Sequence, residues 1–213
     1  AADSERLNGP DDKNTLEARM TLAFGYQERG DTAGAIPALE QIAADSERIF
    51  GPGHEETLTA RRVLAFTYLE TGRAGEAIPV LEQVAADSER IFGPRHEDTL
   101  NARAYLALSY REAGRTGEAI ATLEQIDPLR DRFLGPYKHV AIIDRLDMAP
   151  LYATAGRTDE AIAAAEWGVA ARERSLGPAH PLTIAARTLL ADLYQAAGRT
   201  DEAAAVLEEA GGQ

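Results

Sequence analysis

The sequence has no cysteine, and among its 22 basic residues only Lys13 and Lys138 are lysine. Without cysteine the chain can form no disulfide, no thiolate metal site and no cysteine nucleophile. It also lacks any run of about 18 apolar residues, so no membrane span is predicted. The arginine-rich, lysine-poor and alanine-rich composition is typical of a GC-rich bacterial genome, and we expect a cytoplasmic protein.

Positive charge is scarce as well. The 35 acidic residues outnumber the basic ones and give a formal net charge of −13. Binding to nucleic acid depends on lysine and arginine that neutralise phosphates, and anionic membrane surfaces attract the same residues. The charge therefore disfavours both kinds of partner.

A period of 42 residues runs through the whole chain. A Gly-Pro pair recurs without insertion or deletion and begins at Gly9, Gly51, Gly93, Gly135 and Gly177. A fixed period of this length indicates a stack of supersecondary units that bury their apolar faces against one another.

The first six residues, AADSER, match residues 43–48 and 85–90 letter for letter. We expect residues 1–6 to be the tail of a truncated preceding helix, so that the chain is a fragment of a longer array or protein. Residues 7–213 are predicted to form one domain, with repeats at about 7–48, 49–90, 91–132, 133–174 and 175–213.

Each repeat shows two helical halves. In the second copy, the first half carries Leu58, Leu64 and Tyr68 on one helical face and ends at a C-terminal glycine, Gly72. The second half has the same spacing from Ala77 to Ala85 and ends before Gly93-Pro94. A threonine after Gly-Arg is the expected N-cap of this second helix in three copies, at Thr116, Thr158 and Thr200.

The fourth copy departs from this pattern. Pro150 falls in the middle of its first helix, Pro128 falls in the preceding helix, and Trp167-Gly168 replaces Gln83-Val84. Proline removes a helical hydrogen bond, so we expect a local bend between Asp127 and Trp167. For Trp167, one interpretation is an exposed binding residue and the other is a side chain that covers the gap at Gly168.

The residues Leu64-Ala65, Tyr68, Gly72, Ala77 and Leu81 resemble the tetratricopeptide repeat signature. The 42-residue length and the Gly-Pro-x-His start are similar to the long repeats of kinesin light chains and of bacterial multidomain regulators. The resemblance implies an all-α fold, a right-handed solenoid of five helix-turn-helix repeats whose first helices line a concave groove.

Nothing in the sequence favours an enzyme or a cofactor. Three histidines, His54, His96 and His180, share one repeat position, and His139 lies beside it. His54-Glu55 and His96-Glu97 begin like a zinc HExxH motif, but leucine stands where the second histidine is needed. Histidines one repeat apart are too distant to share a metal ion, and we interpret them as loop or helix-start residues.

Two series of charged residues repeat in every copy. The first helices carry Arg19, Arg61, Arg103, Arg145 and Arg187, and the second helices carry Glu40, Glu82, Glu124, Glu166 and Glu208. One interpretation is a basic clamp for an acidic peptide, and the other is a structural ladder of Arg–Glu contacts. Because the positions do not vary between copies, the structural interpretation is favoured.

Ligand contacts are expected where the copies differ. The resemblance places the groove at positions that correspond to Met20, Phe24, Gln27, Thr59, Arg62, Phe66, Leu69, Asn101, Leu108 and Arg111. This surface combines an apolar floor with the cations Arg62 and Arg111. It suits an extended or helical peptide with apolar anchors and acidic flanks.

These observations predict a non-catalytic protein–protein interaction scaffold in a larger bacterial regulatory protein. Its partner is a protein or peptide, or another domain of the same parent protein. The alternative is a structural module that assembles through its ends or its convex face, which leaves weak self-association open.

Overall fold

A computed structural model describes Gly9, residues 12–133 and residues 145–211. The described residues form α-helices joined by short turns, with no strand among them. We number the helices α1 to α10. They are Lys13–Glu28, Thr32–Phe50, Glu55–Glu70, Ala74–Phe92, Glu97–Glu112, Thr116–Phe133, Arg145–Thr154, Thr158–Leu176, Pro181–Ala196 and Thr200–Gly211. The all-α repeat architecture predicted from the sequence is confirmed.

The chain divides into two compact units. Unit 1, Ala1–Gly114, contains α1 to α5, and unit 2, Arg115–Gln213, contains α6 to α10. Within each unit, consecutive helices pack as antiparallel neighbours across the short turns, as expected for a stack of helical hairpins.

The loop before α3 shows the role of the glycine that begins each repeat. Gly51 ends α2 at a φ of +88°, which favours glycine, and its N–H donates to the Glu47 carbonyl oxygen at 2.8 Å. Six residues on, the buried Thr57 hydroxyl donates to the Gly51 carbonyl oxygen at 2.8 Å. The same threonine bond joins Thr15, Thr99 and Thr183 to Gly9, Gly93 and Gly177.

Histidine is the N-cap residue of three first helices, α3, α5 and α9. The Nδ1 atom of His54 accepts from the Glu56 N–H, and His96 and His180 accept from the N–H two residues on in the same way. The rings of His54 and His96 also stack on Phe50 and Phe92, with centroids 4.8 and 4.7 Å apart. These histidines are helix-start residues, as the sequence predicted.

The turn within each hairpin depends on a second glycine series. Gly72 has a φ of +72°, and the next residue, Arg73, donates its N–H to the Tyr68 carbonyl oxygen at 2.8 Å. The predicted threonine N-caps are wrong, because α6, α8 and α10 begin at Thr116, Thr158 and Thr200 themselves. Before α8, Arg157 holds the N-cap position without a side-chain cap and instead donates to Glu160 at 2.9 Å.

Small residues let the helices approach closely. One alanine position recurs on the first helices and another on the second, and all ten residues are fully buried or nearly so: Ala23, Ala65, Ala107, Ala149 and Ala191, and Ala35, Ala77, Ala119, Ala161 and Ala203. Larger apolar side chains such as Leu39, Leu81 and Leu123 fill the space around them.

The bend predicted between Asp127 and Trp167 includes residues 134–144, which lie outside the described residues, as does His139, so the bend stays a prediction. Helix α6 continues past Pro128, and Pro150 lies within α7. The gap at Gly168 is filled by Leu146, whose Cβ would lie 2.7 Å from a Cβ added there. Trp167 therefore does not cover that gap, and its ring instead lies 5.0 Å from the guanidinium carbon of Arg145.

Candidate functional site

The repeated glutamates form links to a tyrosine in the next repeat. The Tyr68 hydroxyl donates to Glu40 at 2.6 Å, and the equivalent bonds join Tyr110 to Glu82, Tyr152 to Glu124 and Tyr194 to Glu166. Burial raises the pKa of Tyr68 to about 12, and the bond to the Glu40 carboxylate acts in the same direction. Each link thus joins the second helix of one repeat to the first helix of the next.

The repeated arginines also join helices, but with other acids. Arg61 lies between two of them, 2.7 Å from Glu47 in the preceding repeat and 3.3 Å from Asp87 in its own. Burial opposes ionisation of Asp87, but hydrogen bonds from Arg90 and Gln83 outweigh that penalty and lower the pKa of its carboxyl group. Two further arginines repeat the contact to the preceding repeat, in the pairs Arg103–Glu89 and Arg187–Glu173.

The two charged series are therefore structural in the described repeats, but they do not pair with each other as the sequence suggested. Tyrosine bonds to the glutamate series, and the arginine series pairs with acids further along the second helices. Arg19 follows the pattern through Asp45 at 3.0 Å, and Arg145 lies over Trp167. A basic clamp for an acidic peptide needs exposed arginines, whereas Arg187 is 5% exposed.

The variable positions lie on the first helices of unit 1. We call this surface the first-helix face, and it comprises Met20, Thr59, Arg62, Phe66, Leu69, Asn101, Leu108 and Arg111 on α1, α3 and α5. Phe66, at 41% exposure, is the most open of its apolar members. Its ring packs edge-to-face on Tyr105, with centroids 6.1 Å apart. The remaining members are partly buried.

The two cations of this face already have acidic neighbours. Arg62 on α3 reaches Asp98 on α5 at 3.5 Å, and Arg111 donates to the adjacent Glu112 at 2.9 Å. Both pairs remain substantially open to solvent, so a ligand can compete for either guanidinium at small cost. The side chains of Phe24 and Gln27 lie outside the described residues.

A pocket of about 330 Å³ opens between α1 and α3 above the end of α2. Its lining includes two predicted residues, Met20 and Thr59, together with Leu16, Ile42, Ser46 and Phe50 and the charged Lys13, Glu17, Glu55 and Glu56. The sequence analysis missed most of this lining. The sequence does contain a signal for this pocket, because Met20 is an apolar residue at the repeat position that Arg62 holds in the next copy.

Within residues 12–133 and 145–211, no cluster of three or more histidine or carboxylate side chains is arranged to hold a metal ion. None of the helices in that part of the chain is both long enough and apolar enough to cross a membrane.

Comparison with known proteins agrees with this geometry. A family model for the tetratricopeptide repeat matches residues 14–89, 64–126 and 139–210. The structure is similar to that of the TPR-like repeats of a kinesin light chain candidate from Podosopora anserina, with 30% identity, 92% of both chains covered and a TM-score of 0.78. A sequence search of curated proteins finds no significant match.

Two more distant structures share the fold alone. BtubC (BKLC) from P. vanneervenii is 18% identical over 92% of this chain and 78% of its own, with a TM-score of 0.74. The MamA protein is 20% identical over 92% of this chain and 89% of its own, with a TM-score of 0.65. Repeats of this kind stack into arrays that serve as protein–protein interaction scaffolds. The family model matches well over half of the chain, and the chain belongs to the tetratricopeptide repeat family.

Proposed function

We propose that the first-helix face of unit 1 binds a peptide segment of a partner protein. The observation that carries this proposal is Phe66, a large aromatic side chain that is 41% exposed on the middle helix of that face. Aromatic residues that are held in place by neighbours and flanked by polar groups are common anchors of protein interfaces. Tyr105 holds the Phe66 ring from one side, and Arg62 lies one helical turn away.

The charges of the face define what such a peptide would carry. Arg62 and Arg111 supply guanidinium groups at the surface, each shared with a carboxylate of the chain itself. A peptide with an apolar residue for Phe66 and a carboxylate for Arg62 would use both features. Because a bound peptide must displace Asp98 from Arg62, the apolar contact is expected to contribute most of the affinity.

A peptide-array screen of the whole chain tests this proposal. Phe66→Ala should weaken captured peptides by about tenfold or more, because a large buried aromatic contact is lost. Arg62→Glu should weaken only those peptides that carry an acidic residue. Leu182→Ala removes an apolar side chain that is 51% exposed in unit 2 and serves as the matched control. Equal effects of Phe66→Ala and Leu182→Ala would contradict the assignment of this face.

A second candidate function is end-to-end association, as a structural module. Leu207 on α10 is 41% exposed, although Leu39, Leu81 and Leu123 are buried at the same repeat position. A second copy that stacks on α10 would cover it. Light scattering over a range of concentrations tests this, since Leu207→Glu should abolish any concentration-dependent rise in mass. A rise that Leu207→Glu leaves unchanged would exclude α10 as the contact.

The biological setting is also a proposal. The arginine-rich and lysine-poor composition supports a bacterial origin, and we propose that this array is the docking part of a cytoplasmic regulatory protein. Its partner is then a segment of another protein or of the same parent chain. Capture of the partner by cross-linking in cells, with Phe66→Ala as the control, would identify it.

A further inference from the structure

The pocket between α1 and α3 differs in character from the rest of the first-helix face. Its interior is apolar, because Leu16 and Ile42 are buried at its base and Met20 and Phe50 complete the walls. A volume of about 330 Å³ lies at the lower end of the range found for small-ligand pockets. It is large enough for one extended apolar side chain and too small for a folded domain.

The rim of this pocket is acidic. Among the described residues that line the pocket, three are acidic, Glu17, Glu55 and Glu56, and one is basic, Lys13, which leaves two negative charges in excess. The Lys13 ammonium lies 2.7 Å from Glu56 and 3.8 Å from Glu17, and its side chain is largely exposed. Glu55 stands in the first turn of α3 and is exposed. These carboxylates therefore present an accessible negative edge beside the apolar interior.

The gap between the next two first helices of unit 1 contrasts with this pocket. There, between α3 and α5, Arg62 extends across to Asp98 at 3.5 Å. In the first gap the equivalent residues are Met20 and Glu56, exactly one 42-residue period earlier in the sequence. Methionine cannot pair with a carboxylate, and Glu56 pairs with Lys13 at the rim of the pocket instead.

We propose that this pocket receives an apolar side chain of a partner peptide and that its rim binds a lysine or arginine beside that side chain. The proposal rests on the proposed function, since it specifies what the same face recognises. Charge complementarity supports it, because both the rim and the chain as a whole are negative. The peptide would then carry a basic residue at the pocket, at one end of the face, in addition to the acidic residue expected near Arg62.

The probes are three fluorescein-labelled pools of short peptides, tested on the whole chain by fluorescence polarisation. Two adjacent positions are fixed as Leu-Lys, Leu-Glu or Ser-Lys, and the other positions are randomised. We expect the Leu-Lys pool to bind about two- to fivefold more tightly than Leu-Glu, the range for an exposed ion pair. It should bind at least about tenfold more tightly than Ser-Lys, because the serine pool loses the buried apolar group.

Variants of the chain locate the effect. Met20→Arg should pair with Glu56, as Arg62 does with Asp98, and should abolish the preference for leucine while the chain stays folded by circular dichroism. Thr59→Arg, on the opposite wall, provides a second route to closure if Met20→Arg unfolds. Glu55→Gln should reduce only the preference for lysine over glutamate.

The outcomes separate this inference from the proposed function. If Phe66→Ala weakens all pools equally while the pools do not differ from one another, peptide binding on the face stands and the pocket assignment is overturned. If no pool binds, both are overturned. If sedimentation shows that a second copy covers the pocket, so that Met20→Arg dissociates a dimer, the peptide assignment is overturned as well.

Discussion

The tyrosine–glutamate links between repeats offer the sharpest test of how this array is held together. Replacing Tyr68 and Tyr194 with phenylalanine removes two of these bonds, at 2.6 and 2.5 Å, and leaves both rings in place. Their acceptors, Glu40 and Glu166, are exposed and can turn to water. Each substitution should therefore lower the free energy of unfolding at neutral pH by about 1 kcal/mol.

High pH should reveal a second effect of the same links. Burial, reinforced by the bonded carboxylate, raises the pKa of both Tyr68 and Tyr194 to about 12 in the folded chain, against about 10 when unfolded. A raised folded pKa contributes stability that is complete below pH 10 and is lost as the pH rises to 12. By pH 11 each tyrosine should have lost about 1 kcal/mol of that contribution.

Urea unfolding followed by circular dichroism at pH 9 and pH 11 measures this difference. The chain has only two lysines, and these and the other five tyrosines are common to the wild type and the double variant, so their contributions cancel in the comparison. The wild-type chain should lose about 2 kcal/mol more than the double variant between these two pH values. Tyr105→Phe is the control, since the Tyr105 hydroxyl makes no hydrogen bond among the described residues. An equal loss in the wild type and the double variant would refute the role given to the links.

Three further substitutions test the packing of the hairpins through their free energies of unfolding. Gly168→Ala should cost about 1–3 kcal/mol, because the new Cβ would lie 2.7 Å from Leu146. Gly75→Ala, where the added Cβ meets no atom within 4 Å, should instead stabilise α4 by about 0.5–1 kcal/mol. Thr99→Val removes the bond to the Gly93 carbonyl and should cost about 1–2 kcal/mol. Equal stabilities for Gly168→Ala and Gly75→Ala, or no loss in Thr99→Val, would contradict these assignments.

Much of the fold could be predicted because each repeat must meet the same neighbours. Ala65, Gly72 and Tyr68 recur at fixed positions, and the structure uses them for close approach, for the left-handed turn and for the link to the preceding repeat. The partners of these residues were harder to predict. A period of 42 shows that Tyr68 and Glu40 both repeat. It does not show that these two residues, 28 apart in the sequence, meet on facing helices.

The errors at the helix starts have a similar origin. Threonine after Gly-Arg has the composition of an N-cap, but the Arg157 side chain pairs with Glu160 and the helix begins at Thr158. Local preference is a weak guide when a side chain three residues away supplies an alternative partner. The Thr57 position was overlooked for the opposite reason, since its partner is the carbonyl oxygen of Gly51, which no residue type in the sequence reveals.

The candidate site could be predicted only as a set of variable positions. Phe66 is exposed as expected, but the sequence could not show that Arg62 is already paired with Asp98 on the next first helix. Nor could it show that Met20 leaves a pocket, since this depends on the distance between α1 and α3 and on the route of Lys13 to Glu56. Both facts concern contacts between copies, which a comparison of copies position by position does not contain.

The proposed recognition of a peptide uses positions that the stacking of the repeats does not constrain. The contacts that hold repeats together use alanine, tyrosine, arginine and glycine at the same positions in each copy, so those positions cannot vary without a loss of stability. The gap between neighbouring first helices carries no such requirement. A single difference there, Met20 in place of Arg62, converts a gap crossed by an ion pair into one that stays open above an apolar floor. Under the proposed function, the variable positions can therefore change what the array binds while the fold remains constant.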